Sequence, residues 1–340
     1  MTKDETRQLK GLAILMMLWL HLFSDHESLN LCSYWLTYLN GQPLVYALTR
    51  IASCCVPFYV LLGGYGLART YELRNGDVQG GRRAWTLMAN FWIVFLIFVP
   101  LGCVFNSRIF PDSMLTLLLN AVGISYSYNG AWWFLLPYVV LTLLARPLIK
   151  RIFGQSGRQD AVMVAVLSIV TVAVYLIADD MKLDLTSPLM VTVTLLNVAG
   201  LMLLFCAGIL LVKYRSVECT RERLRGWPQM GLLTVLVVLC GVKMLLGGSS
   251  LLNIPFTLLV IPLLLAVRWP QGLRRGMYFL GRHSTNMWLT HYFYYFIFGH
   301  LIYRLHYPLL IFAFLTAASV ACAMLLNPLT EWARQRIRGV

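Results

Sequence analysis

Ten separated apolar runs constrain this chain more than any other feature. They cover residues 9–29, 44–68, 84–105, 131–149, 161–178, 189–212, 229–247, 251–267, 284–303 and 308–329, with Pro, Gly and charge clusters between them. A helix needs about 20 predominantly apolar residues to cross a bilayer, with some tolerance for tilt. Composition points the same way. Of the 340 residues, 59% are hydrophobic and 12% charged, against about 25% charged in a soluble domain. The sequence therefore predicts an all-α, polytopic integral membrane protein of about ten transmembrane helices. It forms a single domain over 1–340 with no appended soluble domain.

The formal net charge is +14, which in a soluble chain would suggest nucleic acid. Here the charge follows topology. All but five of the 28 cationic residues fall in alternate loops or at the two ends, the exceptions being Arg50, Arg108, Lys182, Lys243 and Arg304. The positive-inside rule then places both termini in the cytoplasm and removes the need for a nucleic-acid partner. The eight cysteines are scattered, without a Cys-x-x-Cys or a disulfide-type spacing. The first apolar run is followed by Ser24-Asp25-His26-Glu27-Ser28 and lacks a small-x-small cleavage site, so it reads as a retained span.

Ionisable groups inside spans are costly and mark candidate functional sites. Lys10 and His21 are eleven residues apart on the first span. On a helix that step is about three turns, which puts both on one face roughly 16 Å apart along the axis. Uninterrupted apolar sequence covers only Gly11–Leu20. To span, the helix must continue through His21 and Asp25. Asp25, four residues on, would then accept from the imidazole and fix its tautomer; the alternative is that Asp25 already lies in the outer loop. His291 sits at a similar depth, roughly 15 Å from the Gly281-Arg282 edge of its own run, and shares a face with Ser284 and Met287. A structural histidine bonded to a backbone carbonyl is the other reading of His291. Trp132-Trp133-Phe134 is either an interfacial aromatic belt or a stacking platform for a sugar ring. Arg50, near the outer end of the second run, either snorkels to the interface or addresses an anionic group. No metal site is expected, because His21 and His26 point about 140° apart on a helix.

With these residues in view, the chain resembles the acyltransferase 3 family of membrane-bound O-acyltransferases. That family opens with Arg, ten residues, then His on its first membrane helix, and Lys10 through His21 matches with Lys in place of Arg. Val56 through Tyr65 is similar to an aromatic segment ending in Ser-Gly-aromatic, with Gly63 replacing the Ser. Trp133-Phe134-Leu135 resembles the start of a middle helix. Leu280-Gly281-Arg282-His283-Ser284 through Leu289-Thr290-His291 resembles a late Gly-Lys-x-Ser…Leu-x-His helix. Lysine keeps the charge of the family's arginine without its bidentate fork.

The resemblance implies an acyl-CoA donor, with acetyl the expected group and succinyl open, arriving from the cytoplasm as a co-substrate; no tightly bound cofactor is implied. The acceptor would be a hydroxyl of a surface glycan or its lipid-linked precursor. Lys10 would hold a donor phosphate, and His21 would act as general base or acyl relay. Asp25 would orient His21. Ser284, His291, Trp133 and Arg50 would contact acyl group or acceptor. The expected location is the cytoplasmic membrane of a bacterial cell. The competing class is a transporter or flippase, which usually needs carboxylates at depth. Only Asp25 of the fourteen acidic residues is a candidate for such a position.

Overall fold

The computed structural model describes residues 1–32, 38–39, 41–105, 110–180, 190–247 and 249–338. Arg108 and Lys182, two exceptions to the charge bias, lie outside them. In chain order the helices are α1 (Lys3–Phe23), α2 (His26–Asn30), α3 (Leu44–Ala52), α4 (Cys55–Leu73), α5 (Gly80–Phe105), α6 (Met114–Ala121), α7 (Leu135–Gly154), α8 (Gly157–Asp180) and α9 (Met190–Lys213). Then follow α10 (Ser216–Leu224), α11 (Gln229–Leu246), α12 (Asn253–Ala266), α13 (Gln271–Ile302) and α14 (Pro308–Arg338). A two-residue antiparallel pair, β1 (Tyr38–Leu39) and β2 (Gln42–Pro43), turns the chain into α3.

Among the described residues each of the ten apolar runs lies mainly on helix, but seven stretches are long and apolar enough to cross a membrane. They are Leu44–Leu73, Gly80–Phe105, Gly130–Gly154, Gly157–Ile177, Met190–Lys213, Gln229–Leu246 and Pro308–Trp332. The runs on α1, α12 and α13 fall short. The N-terminal half of α1 is charged, α13 carries Arg274, Arg275 and Arg282, and the stretch Ser250–Ala266 is shorter than a standard span. A helix shielded by other helices does not need a continuous lipid-compatible surface, which is how α1 and α13 differ from α8. The apolar side chains Ile14, Met17, Leu18 and Leu22 of α1 are buried, whereas Val162, Val166 and Ile169 of α8 are exposed.

The chain divides into two compact units. The first comprises Met1–Phe58 and Val217–Pro328. Its centre is the α1–α13 pair. A Cβ built on Gly11 would lie 2.0 Å from the Met277 carbonyl oxygen, and one on Gly281 would lie 1.9 Å from that of Arg7. Only glycine permits such an approach of two backbones, a familiar solution in membrane helix pairs. His21 and His291, each ten residues beyond its glycine, are neighbours at the other end. The two helices therefore run parallel. At their N-terminal ends Arg7 Nη1 donates to Tyr278 Oη at 2.5 Å, and Arg221 Nη2 donates to Glu5 Oε1 at 2.8 Å.

The second unit comprises Tyr59–Ser216 and Leu329–Val340. Gly64 and Gly208 repeat the close approach, their Cβ positions 2.1 Å from the Phe205 carbonyl and 2.2 Å from the Leu61 carbonyl. Trp132 is buried against Phe91 and Phe95.

A candidate active site on paired helices

α1 starts on a capping box. Thr2 accepts from the Glu5 amide, and the Glu5 carboxylate accepts from the Thr2 amide. The helix ends at Phe23, before Asp25. Asp25 has extended backbone (φ −103°, ψ 133°) and opens α2 as its N-cap. Its carboxylate accepts from the Ser28 amide at 3.0 Å and from Ser28 Oγ at 3.1 Å. These bonds, the backbone one foremost, hold the Asp25 carboxyl below its usual range. The expectation that α1 continues through Asp25 is thus corrected. Asp and Ser compete with the helix for local backbone groups and prefer caps to helix interiors. No continuous helix carries the four-residue step that would set Asp25 on His21, and Asp25 is exposed.

The group beside His21 is instead the second imidazole. The His21 and His291 rings have centroids 5.1 Å apart at 41°, and Tyr292 meets His21 edge-on at 5.2 Å. His291 is fully buried. Its Nδ1 lies 2.9 Å from the Trp288 carbonyl oxygen and 3.2 Å from that of Met287. Carbonyl oxygens only accept, so Nδ1 carries a proton and donates it. Neutral His291 then has its lone pair on Nε2, which is buried without a hydrogen-bond partner. His21 retains partial exposure, as does Lys10 about three turns earlier on the same helix. The face therefore carries an ammonium toward its N-terminal end and a pair of imidazoles about 16 Å along.

The other expected residues divide. Ser284 is buried, and its hydroxyl donates to the Gly281 carbonyl of its own helix at 3.0 Å. Arg50 is half-buried and hydrogen-bonded within the first unit. Its Nη1 donates to the Met244 carbonyl at 2.5 Å and its Nη2 to Gln42 Oε1 at 2.6 Å, tying α3 to α11 and to the β-turn. Trp133 lies in a 3₁₀ turn, Gly130–Phe134, capped by Asn129, which accepts from the Ala131 amide at 3.0 Å. It is half-buried and belongs to the second unit, while His21 belongs to the first.

Two features escaped the sequence reading. Tyr292 is one of several aromatics after His291, and nothing in that run marks it out. Tyr295 Oη lies 3.0 Å from Ser28 Oγ, so α13 bonds to the capped turn that follows α1. That contact joins residues 267 apart in sequence. The adjacency could have been anticipated only from the pairing of the two histidine helices.

The chain matches the family model described as an acyltransferase domain over residues 7–327. No curated protein matches it, and no solved structure does.

Proposed function

We propose, on the premise that this chain belongs to the acyltransferase 3 family, that it is a membrane O-acyltransferase. It moves an acyl group, acetyl in the first instance, from cytoplasmic acyl-CoA to a hydroxyl of a surface glycan or its lipid-linked precursor. The observation that carries this reading is the juxtaposition of His21 and His291 on two parallel helices, in line with Lys10. Both termini lie in the cytoplasm, and the membrane is the cytoplasmic membrane of a bacterial cell. The cationic ends of α1 and α13 support that orientation.

Lys10 holds a donor phosphate at the inner mouth as a point charge. His21 takes the proton from the acceptor hydroxyl as its oxygen attacks the thioester carbonyl. The C–O bond forms, the C–S bond breaks, and the departing thiolate receives the proton. The positive charge held on His21 between those events needs a partner. His291 supplies one, because its Nδ1–H is committed to its own helix and its Nε2 lone pair is left for the imidazolium. Asp25 takes no part in orienting the base.

The test uses the full-length protein in proteoliposomes with acyl-labelled acyl-CoA and a panel of carbohydrate acceptors. The expected result is free CoA with label on an acceptor hydroxyl. Transport of a glycan or donor without consumption of the thioester would overturn the assignment.

A further inference from the structure

The second unit contains a cleft of about 580 Å³ between α7, α8 and α9. Its chemistry is graded. At one end stand Arg151, Gln155, Arg158 and Gln159; beyond them the walls are apolar, including Leu148, Val162, Val166 and Leu167, with Met202 and Cys206 on α9. Both arginines are exposed, and no carboxylate pairs with either among the described residues. The nearby acid is already engaged: Asp160 accepts from Lys213 Nζ and from Tyr214 Oη. Lys213 Nζ also donates to the Ile152 and Gln155 carbonyls at 2.7 and 2.8 Å. The turn between α7 and α8 is thereby pinned, with two cations left at the mouth of an apolar trough.

The dimensions fit one kind of occupant. From Arg158 to Leu167 is nine residues of α8, about 13 Å, close to the roughly 15 Å of hydrocarbon in one leaflet. α8 presents Val162 and Val166 outward, so the trough opens toward the bilayer side of a candidate span. The arginines belong to the cation-rich set of loops, where anionic lipid headgroups attract basic side chains. We infer that this cleft is a phospholipid site, in which the phosphate of an anionic phospholipid lies between Arg151 and Arg158 and one acyl chain lies along Val162, Val166 and Leu167. The site is distinct from the histidine pair and does not depend on the proposed activity.

Native mass spectrometry of the full-length protein, extracted from membranes containing phosphatidylglycerol and phosphatidylethanolamine, tests this. The wild type should retain phosphatidylglycerol through detergent exchange. The double variant Arg151→Gln/Arg158→Gln should retain about tenfold less or lower still, and Arg151→Lys/Arg158→Lys should keep it. Met163→Trp, which fills the trough without touching a charge, should also lose it. Monodisperse elution and wild-type helicity establish that each variant is folded. Retention by the Gln variant equal to wild type would overturn the proposal. So would retention by a folded Met163→Trp, or preferential binding of adenosine 3′,5′-bisphosphate at the arginines, displaced by no lipid.

Discussion

The Nδ1 proton of His291 decides how the site can work. Bonded to the carbonyls of Met287 and Trp288, it commits one side of the ring to its own helix and leaves Nε2 without a hydrogen-bond partner, in a ring 5.1 Å from that of His21. A hydrogen bond to a charged group is worth about 1.5–3 kcal/mol, so replacing His291 by Phe, which keeps a ring but removes the lone pair, should lower kcat about ten- to a hundredfold. KM for the donor should change little, and steady-state kinetics of CoA release measure both. Asp25→Ala should behave in the opposite way. Its carboxylate caps α2, so the variant should keep near wild-type kcat and show a lower Tm by thermal unfolding in detergent. The sign with pH follows from the lowered carboxyl. Its stabilisation is fully present above the unfolded carboxyl's pKa of about 4 and is lost as pH falls through the lower folded value. The Tm difference between wild type and Asp25→Ala should therefore shrink in acid.

At the scale of elements, the site exists because α1 and α13 touch backbone to backbone. Even alanine at position 11 would put its Cβ 2.0 Å from the Met277 carbonyl, so one helix must move. Gly11→Ala and Gly281→Ala should each destabilise the protein by about 1–3 kcal/mol and reduce turnover, read as a lower Tm together with slower CoA release. Sequence made part of this legible. Helix rise is fixed, so counting inward from Lys10 and from Arg282 put His21 and His291 at one depth before any pairing was known. It also made Gly281 visible as part of a motif. The pairing itself was not legible, since nothing local says which two of ten apolar runs meet. The end of α1 was misread because the demand for a full-length span outweighed the Asp25-x-x-Ser28 cap signal. The hydrogen-bond partners of Arg50 were not legible, because they are the backbone of Met244, 194 residues away, and Gln42 on the two-residue pairing before α3.

At the scale of the molecule, the parallel direction of α1 and α13 bears on the number of crossings. Two parallel spans must be separated by an odd number of crossings. Six of the long apolar stretches, from Leu44–Leu73 to Gln229–Leu246, lie between them in sequence. If α1 and α13 both cross, the shorter apolar stretch Ser250–Ala266 would be the seventh crossing between them, and the proposed topology would have ten spans. That topology would place the exposed Cys219 of α10 on the same side as the start of α1. An impermeant maleimide should label Cys219 in inverted vesicles and not in right-side-out ones; labelling from the outside would refute this topology. The role proposed for His21, held against His291, is the proton transfer of acyl transfer. Its most direct test is single-turnover conversion of labelled acyl-CoA to acylated acceptor by wild type and by His21→Ala, at matched amounts of folded protein in proteoliposomes. The variant should lose at least about a hundredfold. Transfer by His21→Ala at the wild-type rate would contradict it.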